Sequence, residues 1–291
     1  MHVVNRTTDG PRIAIATCAA FPDLTPDDRL LTAALARAGA EPVAAIWDDE
    51  AVDWEGFDVC LARSVWDYHF KLDRFLAWAQ RAGRESTLWN PPELLAWNAD
   101  KSYLRHLAAR GVPTIPTEWI PRGSGAKLAE VLAARGWEQA VIKPTVDLGA
   151  LNLRRVEGNG IDQIALEGLL VHNDVMVQPY LPSIETAGET SLIYLGGELS
   201  HTVRKRPAAG DYRVQPTWGG SVGAERPTPS EQGVAIAALA ALDTEPLYAR
   251  ADTVAGPAGE PLLIELELID PHLFLAEGEG AAERLASLCL K

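Results

Sequence analysis

The sequence predicts an α/β protein that opens with a parallel layer, and three observations predict it. Ile13-Ala14-Ile15-Ala16-Thr17-Cys18 is a short apolar run followed by a Pro/Asp-rich loop, Pro22 to Asp28. Leu30-Leu31, Leu35 and Ala38 then recur at helical spacing up to Gly39. Pro42 to Trp47 and Val59-Cys60-Leu61-Ala62 are two further runs of strand length. Strand, helix, strand implies parallel strands joined by a crossover. A helix over Leu72 to Ala82 is expected to stop at Gly83, and Leu88-Trp89-Asn90-Pro91-Pro92 reads as a turn that closes the unit near residue 97.

Beyond it, a helix is expected from Asp100 through Leu104 and Leu107 to Gly111, an extended segment from Val112 to Ile120, and a helix over Lys127 to Arg135. Ala140-Val141-Ile142 and Val175-Met176-Val177-Gln178 read as strands, the second stopped by Pro179 and Pro182. The last third alternates strands (Ser191 to Leu195, Glu198 to Val203, Leu262 to Leu268) with one alanine-rich helix, Glu231 to Leu242. Six of the nine tryptophans lie between Trp47 and Trp97. So dispersed a set favours core and interface packing over a sugar-stacking surface.

With 47% hydrophobic residues the chain can bury a sizeable core, which excludes a disordered protein. Its net charge of −14 argues against nucleic acid or anionic lipid as a partner, while leaving room for a small anion on a local basic cluster. Cys18, Cys60 and Cys289 are far apart and read as buried thiols. Met1 to Arg12 has no apolar signal-peptide core, and the longest apolar stretch, Val234 to Leu242, is far short of a membrane span. A cytoplasmic protein is expected.

Between Ala251 and Glu283 there are eight Asp or Glu residues and no Lys or Arg. Glu265 and Glu267 are two apart in an apolar strand, so they share a face. With Asp252 they would repel one another unless a cation sat between them, and oxygen-only ligands suit Mg²⁺; an ordinary half-exposed strand is the alternative. Arg204, Lys205, Arg206 and Arg213 flank a Pro/Ala/Gly loop followed by Gly219-Gly220, a composition suited to closing over phosphate or carboxylate groups. Lys143 ends a strand before a loop containing Gly149, where a lysine can meet phosphates, and Lys101 is a second such position. No G-x-x-x-x-G-K-[ST] occurs, which excludes a Walker P-loop. His201 and His272 are candidate substrate contacts.

Taken in order, these motifs resemble the ATP-grasp ligases over nearly the whole chain, in the glutathione synthetase-like branch that includes the cycloserine-forming cyclo-ligases. The resemblance implies an ATP-grasp fold with α+β nucleotide lobes behind a Rossmann-like amino-terminal domain. The units would be 1–97 for substrate, 98–180 as lid, and 181–291 for metal and phosphate. It implies that Lys101 and Lys143 bind nucleotide phosphates, that Gln178-Pro179-Tyr180-Leu181 is the adenine hinge, and that Glu189 lies near the ribose. Lys205, Arg206 and Arg213 would act on the γ-phosphate, and Asp252, Glu265 and Glu267 would hold magnesium, Glu267 replacing the usual Asn. Arg63, Trp66 and Asp67 would face the substrate.

The implied reaction activates a small amino-acid-like substrate as an acyl phosphate for attack by a nitrogen, within the same molecule or from a second one. Competing readings are a structural α/β module and a nucleotide-binding regulatory protein that has lost catalysis. The best argument for lost catalysis is Asp147, a negative charge where phosphates are expected; this acid either points away, helps bind a metal or weakens nucleotide binding. A homo-oligomer stays open.

Overall fold

The computed structural model describes residues 10–291, so most of the Met1 to Arg12 segment lies outside the described residues. β1 (Arg12–Thr17), α1 (Pro26–Arg37), β2 (Glu41–Ile46), β3 (Val59–Ser64), α2 (Leu72–Glu85) and β4 (Thr87–Trp89) form a parallel sheet in the order β2-β1-β3-β4. Short apolar strands buried on both faces account for its continuous hydrophobic runs. Trp47 and Trp54 each pack edge-on against Trp78 in this core, and Trp47 also meets Phe75 edge-on.

Two expectations here are corrected. The segment read as a turn contains β4, followed directly by α3 (Pro92–Asn98). Also, α2 runs through Gly83 instead of stopping there. A Cβ on Gly83 would lie 2.4 Å from Cγ of Pro92, so this glycine permits the close approach of α3 and does not end the helix.

α4 (Tyr103–Ala109) leads to a second, antiparallel sheet. β5 (Glu118–Ile120), α5 (Leu128–Arg135), β6 (Ala140–Pro144), β7 (Arg154–Val156), α6 (Gly160–Leu170) and β8 (Val175–Pro179) supply its strands in the order β5-β8-β6-β7. α6 was not anticipated, although Asn159 and Asp162 form a reciprocal capping box at its start.

After α7 (Ser183–Thr186), β9 (Glu189–Leu195), β10 (Glu198–Arg206), β11 (Ser221–Ala224), α8 (Pro229–Ala240), β12 (Tyr248–Ala255) and β13 (Pro261–Glu267) build a five-stranded antiparallel sheet, β11-β10-β9-β12-β13. α9 (Ala281–Cys289) packs on α1. β12 was not among the expected strands, since Arg250 and Asp252 interrupt its apolar pattern; both are buried, and they pair with each other. No helix among the described residues is long and apolar enough to cross a membrane.

Buried polar bonds join the first sheet to the third. The Asn90 amide donates to the carbonyls of Tyr248 at 3.0 Å and Leu268 at 2.8 Å, and its oxygen accepts from Leu247 N at 2.7 Å. The Tyr248 hydroxyl donates to the Ala62 carbonyl at 2.6 Å. Because Asn90 is fully buried, its removal strands three backbone groups away from water. Asn90→Ala should therefore destabilise the protein by about 3 kcal/mol or more, read as a lower urea midpoint at unchanged slope. A midpoint within error of wild type would show that these bonds do not hold the sheets together.

Candidate active site

The second and third sheets enclose a cavity of about 680 Å³, to which the loop after β3 contributes Trp66. Its apolar end lies between Val141 of β6 and Val254 and Ile264 of β12 and β13, with Ile115, Leu181 and Ile184 completing the slot. The expected hinge borders this slot. Gln178 is buried and donates to Thr117 Oγ1 at 2.9 Å, while Tyr180 bonds Glu185 through its hydroxyl and carries the Arg155 guanidinium 3.9 Å over its ring.

The other end is built of charge. Asp252 and Glu265 are direct cross-strand partners, and so are Arg250 and Glu267. Lys205 reaches in from β10, Lys143 from β6 and Lys101 from the segment before α4, and all seven line the cavity. Two distant parts of the chain bring lysines to these carboxylates, and β12 adds its own Arg250, two residues before Asp252. Lys101 Nζ is 3.1 Å from Glu265. Lys205 pairs with Glu189 and lies 3.1 Å from Asp252. Arg250 lies 2.9 Å from Asp252 and pairs with Glu267.

The acids were expected to need a cation between them, and side-chain cations of the chain itself stand among them. Among the described residues no three carboxylate, thiol or imidazole groups already converge on a point that could hold an ion. Their donor chemistry does suit a hard divalent cation. Asp252 and Glu265 oppose each other with Glu267 on the same wall, and a phosphate-bearing ligand would complete the oxygen shell.

The ionisation equilibria follow from burial against pairing. Burial raises the Asp252 carboxyl, but Arg250 and Lys205 outweigh it and hold it low. Burial likewise raises Glu265, and the charges of Lys101 and Lys143 pull it below the usual carboxylate range. Glu189 and Glu267 are pushed up to about 7, mainly by burial, against the opposing pull of Lys205 and Arg250 respectively. Lys143 is buried and forms no ion pair among the described residues; burial lowers its ammonium, partly offset by Glu265.

The loops above the charged end meet each other. Trp218 Nε1 donates to the Gly149 carbonyl at 3.2 Å, and Arg213 stacks 3.6 Å over Trp218 while holding Asp211 at 2.7 Å. The question raised by Asp147 has a local answer. Its carboxylate accepts from Asn152 N at 3.2 Å and Asn152 Nδ2 at 3.1 Å, so it braces its own loop.

Several expected site residues fall elsewhere. Arg206 alternates with Lys205 on β10, so it faces solvent and pairs with Glu225 outside the cavity. Arg63 is buried in a lock with Asp28 Oδ1 at 3.1 Å and the Pro271 carbonyl at 3.0 Å. Asp67 accepts from Trp47 Nε1 and Lys71. Of the three proposed substrate residues only Trp66 lines the cavity, its indole donating to the Asp270 carbonyl at 3.2 Å. His272 lines it too, whereas His201 is spent on the Leu273 carbonyl at 2.8 Å. Arg250, Asp270, Phe274 and Glu277 were not assigned from sequence; only Arg250, next to Asp252 in its motif, carried a signal.

A family model described as D-cycloserine synthetase DcsG, N-terminal domain, matches residues 13–90. The chain is 34% identical over 253 residues to the cycloserine biosynthesis protein DcsG of Streptomyces lavendulae, which covers 82% of this chain and 85% of that protein. The crystal structure of D-cycloserine synthetase DcsG superposes with a TM-score of 0.87 at 32% identity, covering 95% of this chain and 98% of that one. An ATP-grasp RimK domain protein from Sphaerobacter thermophilus shares the fold, with a TM-score of 0.70 at 18% identity over 96% and 100% of the two chains. The chain belongs to the DcsG family of ATP-grasp ligases. As an ATP-grasp enzyme it is an ATP-dependent, C–N bond-forming ligase, and the cavity between its second and third sheets is where the expected lysines, hinge and carboxylates converge.

The folded values near 7 for Glu189 and Glu267 exceed their ordinary value of 4.5. Between those two values the folded ligase binds more protons than the unfolded chain. The contribution of this pair to stability is thus full below about 4.5 and is lost as pH rises through about 7. Urea midpoints of nucleotide-free protein at pH 5, 6, 7 and 8 should carry this decline, and Glu267→Gln should flatten it. A variant with the wild-type pH dependence would contradict the assignment to Glu267.

Proposed function

We propose that the protein uses ATP with Mg²⁺ to activate the carboxylate of a small amino-acid-like substrate, which a nitrogen of the same molecule then attacks to close a ring. The observation that carries the nucleotide part is Lys143, a buried cation without an ion-pair partner among the described residues, at the junction of an apolar slot and a wall of carboxylates. A triphosphate would supply the missing anion, its base occupying the slot by the hinge. Asp252, Glu265 and Glu267 would hold the metal that accompanies it, and that ion would neutralise phosphate charge.

The chain's own groups set up in-line transfer. Lys101, Lys143 and Lys205 place positive charge along the phosphates, and Arg213 sits on the loop that covers them. A carboxylate oxygen of the substrate attacks the γ-phosphorus, and the bond to the ADP oxygen breaks. The nitrogen then attacks the acyl carbon, and inorganic phosphate leaves with the C–O electron pair. Closing the lid excludes water, which would otherwise hydrolyse the acyl phosphate.

Ring closure is favoured over ligation to a second molecule by how little of the first sheet reaches the cavity. Arg63 and Asp67 are committed to internal bonds, leaving Trp66 alone from that tract on the wall. The resemblance to DcsG, a cycloserine biosynthesis protein, points the same way.

The deciding assay is phosphate release with ATP, Mg²⁺ and a panel of amino acids that includes O-ureidoserine, with product mass determined. Substrate-dependent release with a product lighter than the substrate is expected. A product combining two substrate molecules would replace ring closure by intermolecular ligation, and no release with any compound would overturn the reading. Glu265→Gln should abolish ATP turnover with the circular dichroism spectrum unchanged. Lys143→Ala should raise the ATP dissociation constant by about tenfold or more, measured by titration calorimetry; an unaltered constant would remove Lys143 from the phosphate site.

A further inference from the structure

We propose that Asp270 is the binding site for the ammonium group of the amino-acid substrate. This rests on the reading of the substrate as an amino acid activated at its carboxylate. Asp270 is only 4% exposed, yet it lines the cavity beside Trp66, His272 and Glu277. Its Oδ2 is buried without a hydrogen-bond partner among the described residues.

A buried carboxyl oxygen left unpaired is costly, so its persistence in a cavity wall calls for a donor that arrives from the cavity. Neighbouring guanidinium groups do not supply it. Arg250 is committed to Asp252 and Glu267; Arg63 bonds Asp28 and the Pro271 carbonyl, and its remaining Nη1 makes no bond to Asp270. Trp66 fixes the backbone of Asp270 by donating to its carbonyl, so the side chain is presented from a rigid position.

The cavity thus holds one buried cation without an ion pair, Lys143, and one buried acid with an unsatisfied oxygen, Asp270. An α-amino acid needs both signs: its carboxylate must reach the phosphate end marked by Lys143, and its ammonium needs an acid. An ammonium donating to Asp270 would make a charge-assisted bond and place the carboxylate in one orientation only. The site would therefore select amino acids over the corresponding acids that lack the amino group.

The test compares the panel amino acid that releases most phosphate with its analogue carrying hydrogen in place of the α-amino group. Wild type should prefer the amino acid by about 10–100-fold in kcat/KM. Asp270→Asn should lose most of that preference through a higher KM for the amino acid, with the KM for ATP within about twofold of wild type. Asp270→Glu, which keeps the charge, should retain part of the preference. A water bridging Oδ2 to the likewise unpartnered Nη1 of Arg63 would instead give a variant of lower thermal midpoint and undiminished preference, overturning the inference. Failure of wild type to act on any amino acid would overturn the functional reading as well, so the two failures are distinct.

Discussion

Arg250 is the interaction on which the site depends. It lies on a buried strand, holds Asp252, pairs with Glu267 across the hairpin, and donates to the His272 carbonyl at 3.2 Å. A carboxylate out of water is tolerable only if a cation and hydrogen bonds replace its hydration. Here β12 brings its own cation to the hairpin, and Lys205 and Lys101 neutralise what remains. The wall is poised close to balance, and in a balanced wall a polyanionic nucleotide and its counter-cation can exchange partners with existing groups without entering a site of one sign.

The amino-terminal sheet serves this arrangement chiefly as a scaffold. Asp27, in the first turn of α1, accepts from Leu273 N at 3.0 Å and Leu275 N at 2.7 Å, while the adjacent Asp28 is locked by Arg63 and Ser64. These bonds clamp the segment after β13 that carries Asp270, His272 and Phe274 into the cavity. Residues in the Arg63 to Asp67 tract thus bear on this end of the cavity mostly through others, with Trp66 as the one direct contributor.

Much of the fold was legible because periodicity is local. β1, α1, β2, β3, α5, β6, β8 and α8 stand within a few residues of where their apolar spacing placed them. Two of the misses share a cause: β12 carries charges that only tertiary pairing makes tolerable, and β4 with α3 occupies a Pro/Asn-rich tract whose bonds go to a sheet far along the chain. At the site, order and spacing singled out Lys101, Lys143, Lys205 and the three acids, and all six line one cavity. Asp270 was not singled out, because a carboxylate gains significance there only from its missing partner.

By itself the sequence determined the residue types, their order and the strand alternation that sends Glu265 and Glu267 to one face; these depend on covalent spacing and backbone geometry alone. Tertiary structure decided which charges meet. Arg206 leaves the cavity, whereas Asp147, braced by Asn152, stays on its wall and Arg250 and Asp270 join it, because burial and pairing are set by which strands lie side by side. The acidic stretch from Ala251 to Glu283 contains no Lys or Arg, yet the docked sheets surround its site acids with cations, since electrostatic energy depends on distance in space and not along the chain.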